Sequence, residues 1–164
     1  LVALGVFEGE RIELLHGMLV TTSPKDPPRA SAVCLLTELL VLAVPDCARV
    51  RVHAPILAAD ESEPEPALAV VPDADYGRSH PGRAHLIVDV SIGATRIDRL
   101  VKEPLYAKSG FSEYWLVNVT ARTVEVYRRP SPHGYRAKTT HGVDESIAIE
   151  AFPEVVVRIA DIFA

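Results

Sequence analysis

The chain of 164 residues has the length of a single domain, and its apolar fraction of 48% is ordinary for a globular protein. Its formal net charge of −5 argues against a broad basic surface that binds phosphates without specificity, although a metal site built from carboxylates would itself be acidic. The longest apolar stretch, residues 33–44, is interrupted by Thr37 and Glu38 and is too short to cross a bilayer. These features predict one globular domain over residues 1–164 that does not enter a membrane.

The two cysteines, Cys34 and Cys47, do not have the spacing of a zinc site or of a Cys-x-x-Cys motif. Both accompany an apolar helical pattern, so we expect buried free thiols, no disulfide and a cytoplasmic location. The sequence shows no signal peptide. Since it starts at Leu1 rather than at methionine, we expect further residues before it.

The first half of the chain predicts a hairpin followed by a helix. Residues 11–21 form two short apolar runs around His16-Gly17, which is typical of a β-hairpin. Apolar residues at three- and four-residue spacing predict an amphipathic helix over residues 29–44 (Val33, Leu36, Leu39 and Leu40). Residues 48–57 favour a strand, and the acidic, proline-broken segment 60–66 is typical of a surface loop.

The second half predicts most of a sheet. Residues 67–71 form a short apolar strand, and residues 86–90 are apolar on both faces, which is typical of a strand inside a sheet. A helix should follow, with Thr95 as its cap, a kink at Pro104 and its end at Gly110. The remainder predicts an antiparallel meander and a last strand with one helical turn (residues 113–118, 123–129, 135–140 and 155–163). We therefore expect an α/β fold with a mixed, strongly twisted sheet flanked by helices.

Asp89 is the most unusual residue of the predicted strands. Aspartate is disfavoured in strands and costly to bury alone, so it must be paired, protonated or bound to metal unless it lies at an exposed strand end. Its natural partner is Lys102 on the returning helix, because a lysine beside a carboxylate can activate a hydrolytic water next to a divalent cation. The alternative for Lys102 is a surface pair with Asp98. Glu13 interrupts the first strand and faces outward unless that face meets the site.

Five stretches of the sequence carry a family resemblance: RIELLHG at 11–17, EPEPALAVV at 63–71, LIVDVS at 86–91, DRLVKEPLYA at 98–107 and GFSEYWLV at 110–117. They resemble the Uma2 family, a bacterial group with the restriction-endonuclease-like PD-(D/E)XK fold. Together they cover nearly the whole chain, and the run from 98 to 117 is the most specific. The resemblance implies a phosphodiesterase that acts on DNA with Mg²⁺ or Mn²⁺.

The resemblance also implies roles for three residues. Asp89 occupies the acidic position of the central strand, which is usually glutamate, and Lys102 matches a lysine that has moved to the following helix. Glu13 matches the glutamate of the opening hairpin. By this likeness Asp89 and Glu13 would bind or orient the metal, and Lys102 would position the attacking water.

The sequence departs from the family pattern at the metal site. Ala67 stands where the family has its metal-bridging aspartate, and Arg29 stands where a histidine is common. Glu65, two residues before Ala67 on the same face of a strand, is a weak substitute ligand. We therefore expect weak or absent DNA hydrolysis. The alternatives are a non-catalytic binding or regulatory module, expected to be a homodimer, or a chain in which the alanine was introduced to inactivate it.

Overall fold

The computed structural model of the chain describes residues 12–21, 26–93 and 96–163. The strands are β1 (Ile12–Leu15), β2 (Met18–Thr21), β3 (Ala48–Val52), β4 (Leu68–Pro72), β5 (Leu86–Ser91), β6 (Glu113–Asn118), β7 (Thr123–Ser131), β8 (Gly134–His141), β9 (Ser146–Ile149) and β10 (Phe152–Arg158). The α-helices are α1 (Pro27–Ala43), α2 (Glu103–Lys108) and α3 (Ile159–Ile162). Arg11 and Thr95, which were expected to open the hairpin and cap the second helix, lie outside the described residues.

A six-stranded mixed sheet forms the centre of the fold. Its strand order is β3-β4-β5-β6-β7-β8. Within this sheet β5 and β6 are parallel, and the other four pairs of adjacent strands are antiparallel. All six residues of β5 are buried, as expected for a strand inside a sheet. The α/β class, the mixed sheet, the meander and the N-terminal hairpin are therefore confirmed.

The two faces of the sheet bury different cores, because successive side chains of a strand point to opposite sides. On β5, Leu86, Val88 and Val90 join a large aliphatic core that includes residues of α1, α3, β9 and β10. Ile87 points the other way, into a second core rich in aromatic side chains that includes Tyr106 of α2. Asp89, two residues after Ile87, shares the face of this aromatic core.

The N-terminal hairpin is attached to the sheet through the acidic loop. The amide of Glu63 donates to the carbonyl of Leu14 at 2.9 Å, and the amide of His16 donates to the Ser62 hydroxyl at 2.9 Å. His16 and Gly17 both have positive φ, 49° and 75°, as the tight turn between β1 and β2 requires. These contacts fix which side of β1 faces the protein.

The helix around Pro104 is irregular, as expected, but the irregularity is a widened turn. Residues Asp98–Lys102 form a π-helical turn, in which the amide of Glu103 donates to the carbonyl of Asp98. Proline has no amide hydrogen, and its ring clashes with the carbonyl four residues earlier, here that of Leu100. A wider turn before Pro104 relieves that conflict. Gly110 then ends the helical segment with φ of 78°.

One expectation from the sequence is wrong, and one strand was not expected. Cys34 and Cys47 are exposed, not buried. Cys34 follows the buried Val33 on α1 and therefore points off the buried stripe, while Cys47 lies in the turn before β3. β9, which pairs with β10 in a separate two-stranded sheet, was not expected at all. Within the described ranges, no helix is both long enough and apolar enough to cross a membrane.

Candidate active site

Three side chains from distant parts of the sequence meet in one buried cluster. The Lys102 Nζ lies 3.0 Å from Oε1 of Glu13 and 3.4 Å from Oδ1 of Asp89. The exposed fractions of Lys102, Glu13 and Asp89 are 7%, 3% and 4%. Lys102 is therefore not part of a surface pair, and Asp89 is not at an exposed strand end. The burial of these side chains therefore excludes both alternatives.

The local structure explains why these side chains converge. On β1 the residues with inward side chains are Glu13 and Leu15, so the glutamate faces the protein instead of the solvent. We expected Glu13 to face outward unless its side of the strand met the site. That side does meet the site, so Glu13 faces inward. Lys102 lies at the end of the π-helical turn, and α2 continues directly from it. The hairpin and the helix thus approach Asp89 together from the same face of the sheet.

Two tyrosine hydroxyls complete the surroundings of Asp89. The hydroxyls of Tyr106 and Tyr114 donate to Oδ2 of Asp89 at 3.2 and 3.4 Å. Both tyrosines are fully buried, and their rings lie 5.0 Å apart. Sequence reasoning missed them. Tyr106 could have been found because it follows Lys102 by four residues on one helical face, but no sequence signal connects Tyr114 to Asp89.

The electrostatics of the cluster follow from two carboxylates sharing one ammonium. Burial by itself lowers the pKa of Lys102, but the charges of Asp89 and Glu13 outweigh it, so the pKa is raised and the lysine stays charged. Burial raises the pKa of Glu13, and Lys102 only partly offsets this. Burial and the charge of Asp89 hold the pKa of both Tyr106 and Tyr114 well above the usual value, so both hydroxyls stay protonated donors.

Ala67 immediately precedes β4, whose first residue Leu68 pairs with Val88 of β5. Ala67 is 1% exposed and belongs to the aliphatic core, whereas Asp89 shares the face of the aromatic core. Arg29 donates from Nε to the carbonyl of Val90 at 2.6 Å, next to Asp89 in the chain. Glu65 is half-buried in the segment before β4.

The residues present do not fit a divalent cation. Magnesium needs near-octahedral oxygen ligation at about 2.0–2.1 Å, anchored by carboxylates. Here Oδ1 of Asp89 faces the Lys102 ammonium and Oδ2 accepts two tyrosine hydroxyls, while Ala67 offers no oxygen. Among the residues that the structure describes, no three acidic, histidine or cysteine side chains come together closely enough to hold a metal ion.

Comparison with known proteins identifies the family. A family model described as "Uma2: Putative restriction endonuclease" matches residues 3–160. The chain belongs to the Uma2 family. A comparison with curated proteins gave no match.

A solved structure shares the fold. The chain is similar to a crystal structure described as a putative nuclease belonging to DUF820 from Anabaena variabilis, with a TM-score of 0.77 and 16% identity over 94% of this chain and 90% of that one. At that identity the likeness concerns the fold alone. The restriction-endonuclease-like architecture expected from the sequence is thereby confirmed.

Proposed function

We propose that this Uma2 chain is a single nuclease-fold domain with DNA as its substrate class, and that its hydrolytic activity is weak or absent because Ala67 removes a metal ligand. In this proposal Asp89 and Glu13 are the carboxylates of the site, and Lys102 is the residue that would position an attacking water. Glu65 is the remaining, weak candidate for a third carboxylate.

One observation carries the proposal: the ion cluster of Glu13, Asp89 and Lys102. Burial of two acids and one base at 3.0–3.4 Å carries a desolvation cost that only pairing and hydrogen bonds within the cluster can offset. These are the three side chains that the family resemblance marks, and they come from a hairpin, a central strand and a helix. Perturbed titratable groups that meet in this way are candidates for a functional site.

The reason to expect impairment lies at Ala67. By the family resemblance, the position of Ala67 would supply a further carboxylate that shares a metal ion with Asp89, and alanine supplies only a methyl group. Metal-assisted phosphodiester hydrolysis uses the cation to stabilise developing charge and to make water a stronger nucleophile.

The test is a plasmid-nicking assay with Mg²⁺ and with Mn²⁺ on the wild type, Ala67→Asp and Ala67→Asp/Lys102→Ala. We expect cleavage only by Ala67→Asp, at least about tenfold above the wild type, and its loss in the double variant. Because the new carboxylate lies at a site that is 1% exposed, folding is checked by circular dichroism before and after the cation is added. Ala69→Asp, in β4 opposite Ile87 and equally buried, is the matched control and should not cut.

The result that contradicts the proposal is a folded Ala67→Asp chain that cuts no DNA with either cation. Cleavage by the wild type at the rate of the aspartate variant would contradict the impairment and leave the nuclease assignment standing. Cleavage that persists in the double variant would remove Lys102 from the proposed mechanism.

A second candidate function is a non-catalytic binding or regulatory module, for which a homodimer is the expected form. It is favoured by the contacts of Asp89, because both of its oxygens already have partners in Lys102, Tyr106 and Tyr114. In that case no variant should cut, while the wild type should bind DNA in a gel-shift assay or sediment as a dimer. A monomer without DNA binding would exclude it.

A further inference from the structure

The position of the Lys102 ammonium suggests more than a pairing with one acid. Its Nζ lies between carboxylates from two different elements, 3.0 Å from Glu13 on the hairpin and 3.4 Å from Asp89 on the central strand. We propose that Lys102 is the resident cation of this site: its ammonium occupies the place that a divalent cation would need, and in the chain that carries Ala67 such an ion can enter only when the charge of the lysine is removed.

Geometry supports this assignment. The carboxylate oxygens stand at distances that suit an ammonium, whereas magnesium would draw each of them about 1 Å closer. Asp89 is not free to move by that amount, because its other oxygen is held by the hydroxyls of Tyr106 and Tyr114 and its strand is buried on both faces. The spacing of the pair is therefore set for the lysine.

Charge leads to the same conclusion. Glu13 and Asp89 together carry two negative charges in a region that is at most 4% exposed, and Lys102 supplies the compensating charge that they contact. Removing one partner from a buried ion cluster leaves uncompensated charge, which strongly destabilises the fold. A chain without the Lys102 charge should therefore gain stability from a soluble cation that reaches the two carboxylates, whereas the wild type should not.

The experiment measures thermal unfolding with and without about 10 mM Ca²⁺, because Ca²⁺ accepts longer oxygen distances of about 2.3–2.6 Å and irregular coordination. The variants are Lys102→Gln, which keeps hydrogen-bond donors without charge, and Lys102→Met, which keeps the apolar stem. Lys108→Met is the matched control, because Lys108 is exposed and pairs with Asp60, which is not part of the cluster. We expect Ca²⁺ to raise the Tm of both Lys102 variants by about 3 °C or more, and to leave the wild type and the control unchanged.

Addition of Glu13→Gln to the Lys102→Gln chain should abolish the response to Ca²⁺, which places the bound ion at the cluster. The proposal is overturned if Ca²⁺ stabilises the wild type and Asp89→Asn removes that effect, since the lysine then excludes nothing. It is equally overturned if folded Lys102 variants respond no more than the wild type.

This inference shares only the location of its site with the proposed function. Its readout is stability, so it does not depend on cleavage. DNA cutting by Ala67→Asp together with Ca²⁺ binding by the wild type would overturn the inference alone, and a Ca²⁺ response of the Lys102 variants without any cleavage would leave the inference standing while the nuclease proposal fails.

Discussion

Two buried clusters of charge in this fold are built in opposite ways. Glu113, at the start of β6, is fully buried and accepts hydrogen bonds from Arg128, from the Trp115 indole and from the amide of Glu150. Arg128 in turn donates to the carbonyl of Ala148, so this cluster connects the main sheet to the β9–β10 hairpin. One acid is balanced by one base. Oε1 of Glu113 accepts from Trp115 and Arg128, and Oε2 accepts from the amide of Glu150 in the turn between β9 and β10.

The cluster at Asp89 has the opposite balance. Two acids share one ammonium, and Asp98 adds a further negative charge close enough to raise the pKa of Lys102 and of Glu13. The two acids and the ammonium come from a hairpin, a strand and a helix. Burial and ion pairing by themselves therefore do not mark a functional site, and the excess of negative charge among converging elements is what makes the Asp89 cluster the candidate.

The largest effect in this comparison is expected from breaking the balanced cluster. Arg128→Met should lower the free energy of unfolding by about 3 kcal/mol, because it leaves the Glu113 carboxylate buried without its base. Chemical denaturation measures this. The exposed neighbour Arg129 gives the control, since Arg129→Met should change stability by less than about 0.5 kcal/mol. Equal effects of the two variants would show that the Glu113 cluster does not stabilise the fold.

A smaller and pH-dependent effect is expected from Lys102→Met. Because burial raises the pKa of Glu13 above 4.5, the folded chain binds that proton more tightly than the unfolded chain, and stability falls as pH rises through the raised pKa. In Lys102→Met the ammonium that lowers the pKa of Glu13 is lost, so stability should fall more steeply as pH rises. The wild type loses the contribution of Lys102 only above about pH 10.5, as pH rises through the raised pKa of the lysine.

We therefore expect Lys102→Met to be less stable than the wild type by about 2 kcal/mol near pH 8 and by clearly less near pH 5. Denaturant titrations at the two pH values measure the difference. Lys138→Met, which removes an exposed partner of Glu125, should show no such trend over this range. A deficit that is the same at both pH values would mean that Glu13 does not take up the proton.

The smallest effect concerns Glu125, a carboxylate on β7 near the surface. Its own burial would raise its pKa, but hydrogen bonds from Arg99, Tyr127 and Lys138 outweigh this and lower the pKa from 4.5 to about 2. Its contribution to stability is therefore complete above pH 4.5 and is lost as pH falls through about 2. Since Arg99 and Lys138 are nearly half exposed, screening limits this contribution to about 1–2 kcal/mol.

Glu125→Gln tests this contribution. The wild type should lose stability between pH 4.5 and 2 more steeply than the variant, and the two curves should converge at the acid end. Acid titrations followed by circular dichroism measure the slopes. Parallel curves would show that the hydrogen bonds of Glu125 do not hold its charge in the folded state.

The order of elements could be predicted from the sequence because each element has a local cause. The turn glycine at His16-Gly17 with its apolar flanks predicted the hairpin, the apolar run at 86–90 predicted the internal strand, and Pro104 located the irregular helix. β9 could not be predicted, because its four residues pair only with β10 and carry no strong pattern of their own. The exposure of Cys34 was also missed, since apolar residues surround α1 on more than its buried face, including the exposed Val41 and Leu42.

The sequence by itself determined the strands apart from β9, the helices, the family and the three ionisable residues of the candidate site, because these depend on local patterns and on motifs. Only the tertiary structure decided that Glu13 faces inward, since the acidic loop fixes the side of β1 that meets the sheet. It also brought Tyr114 to Asp89, because the parallel pairing of β5 and β6 joins segments 25 residues apart. Contacts of this kind depend on how elements pack against each other, and no local pattern of residues encodes them.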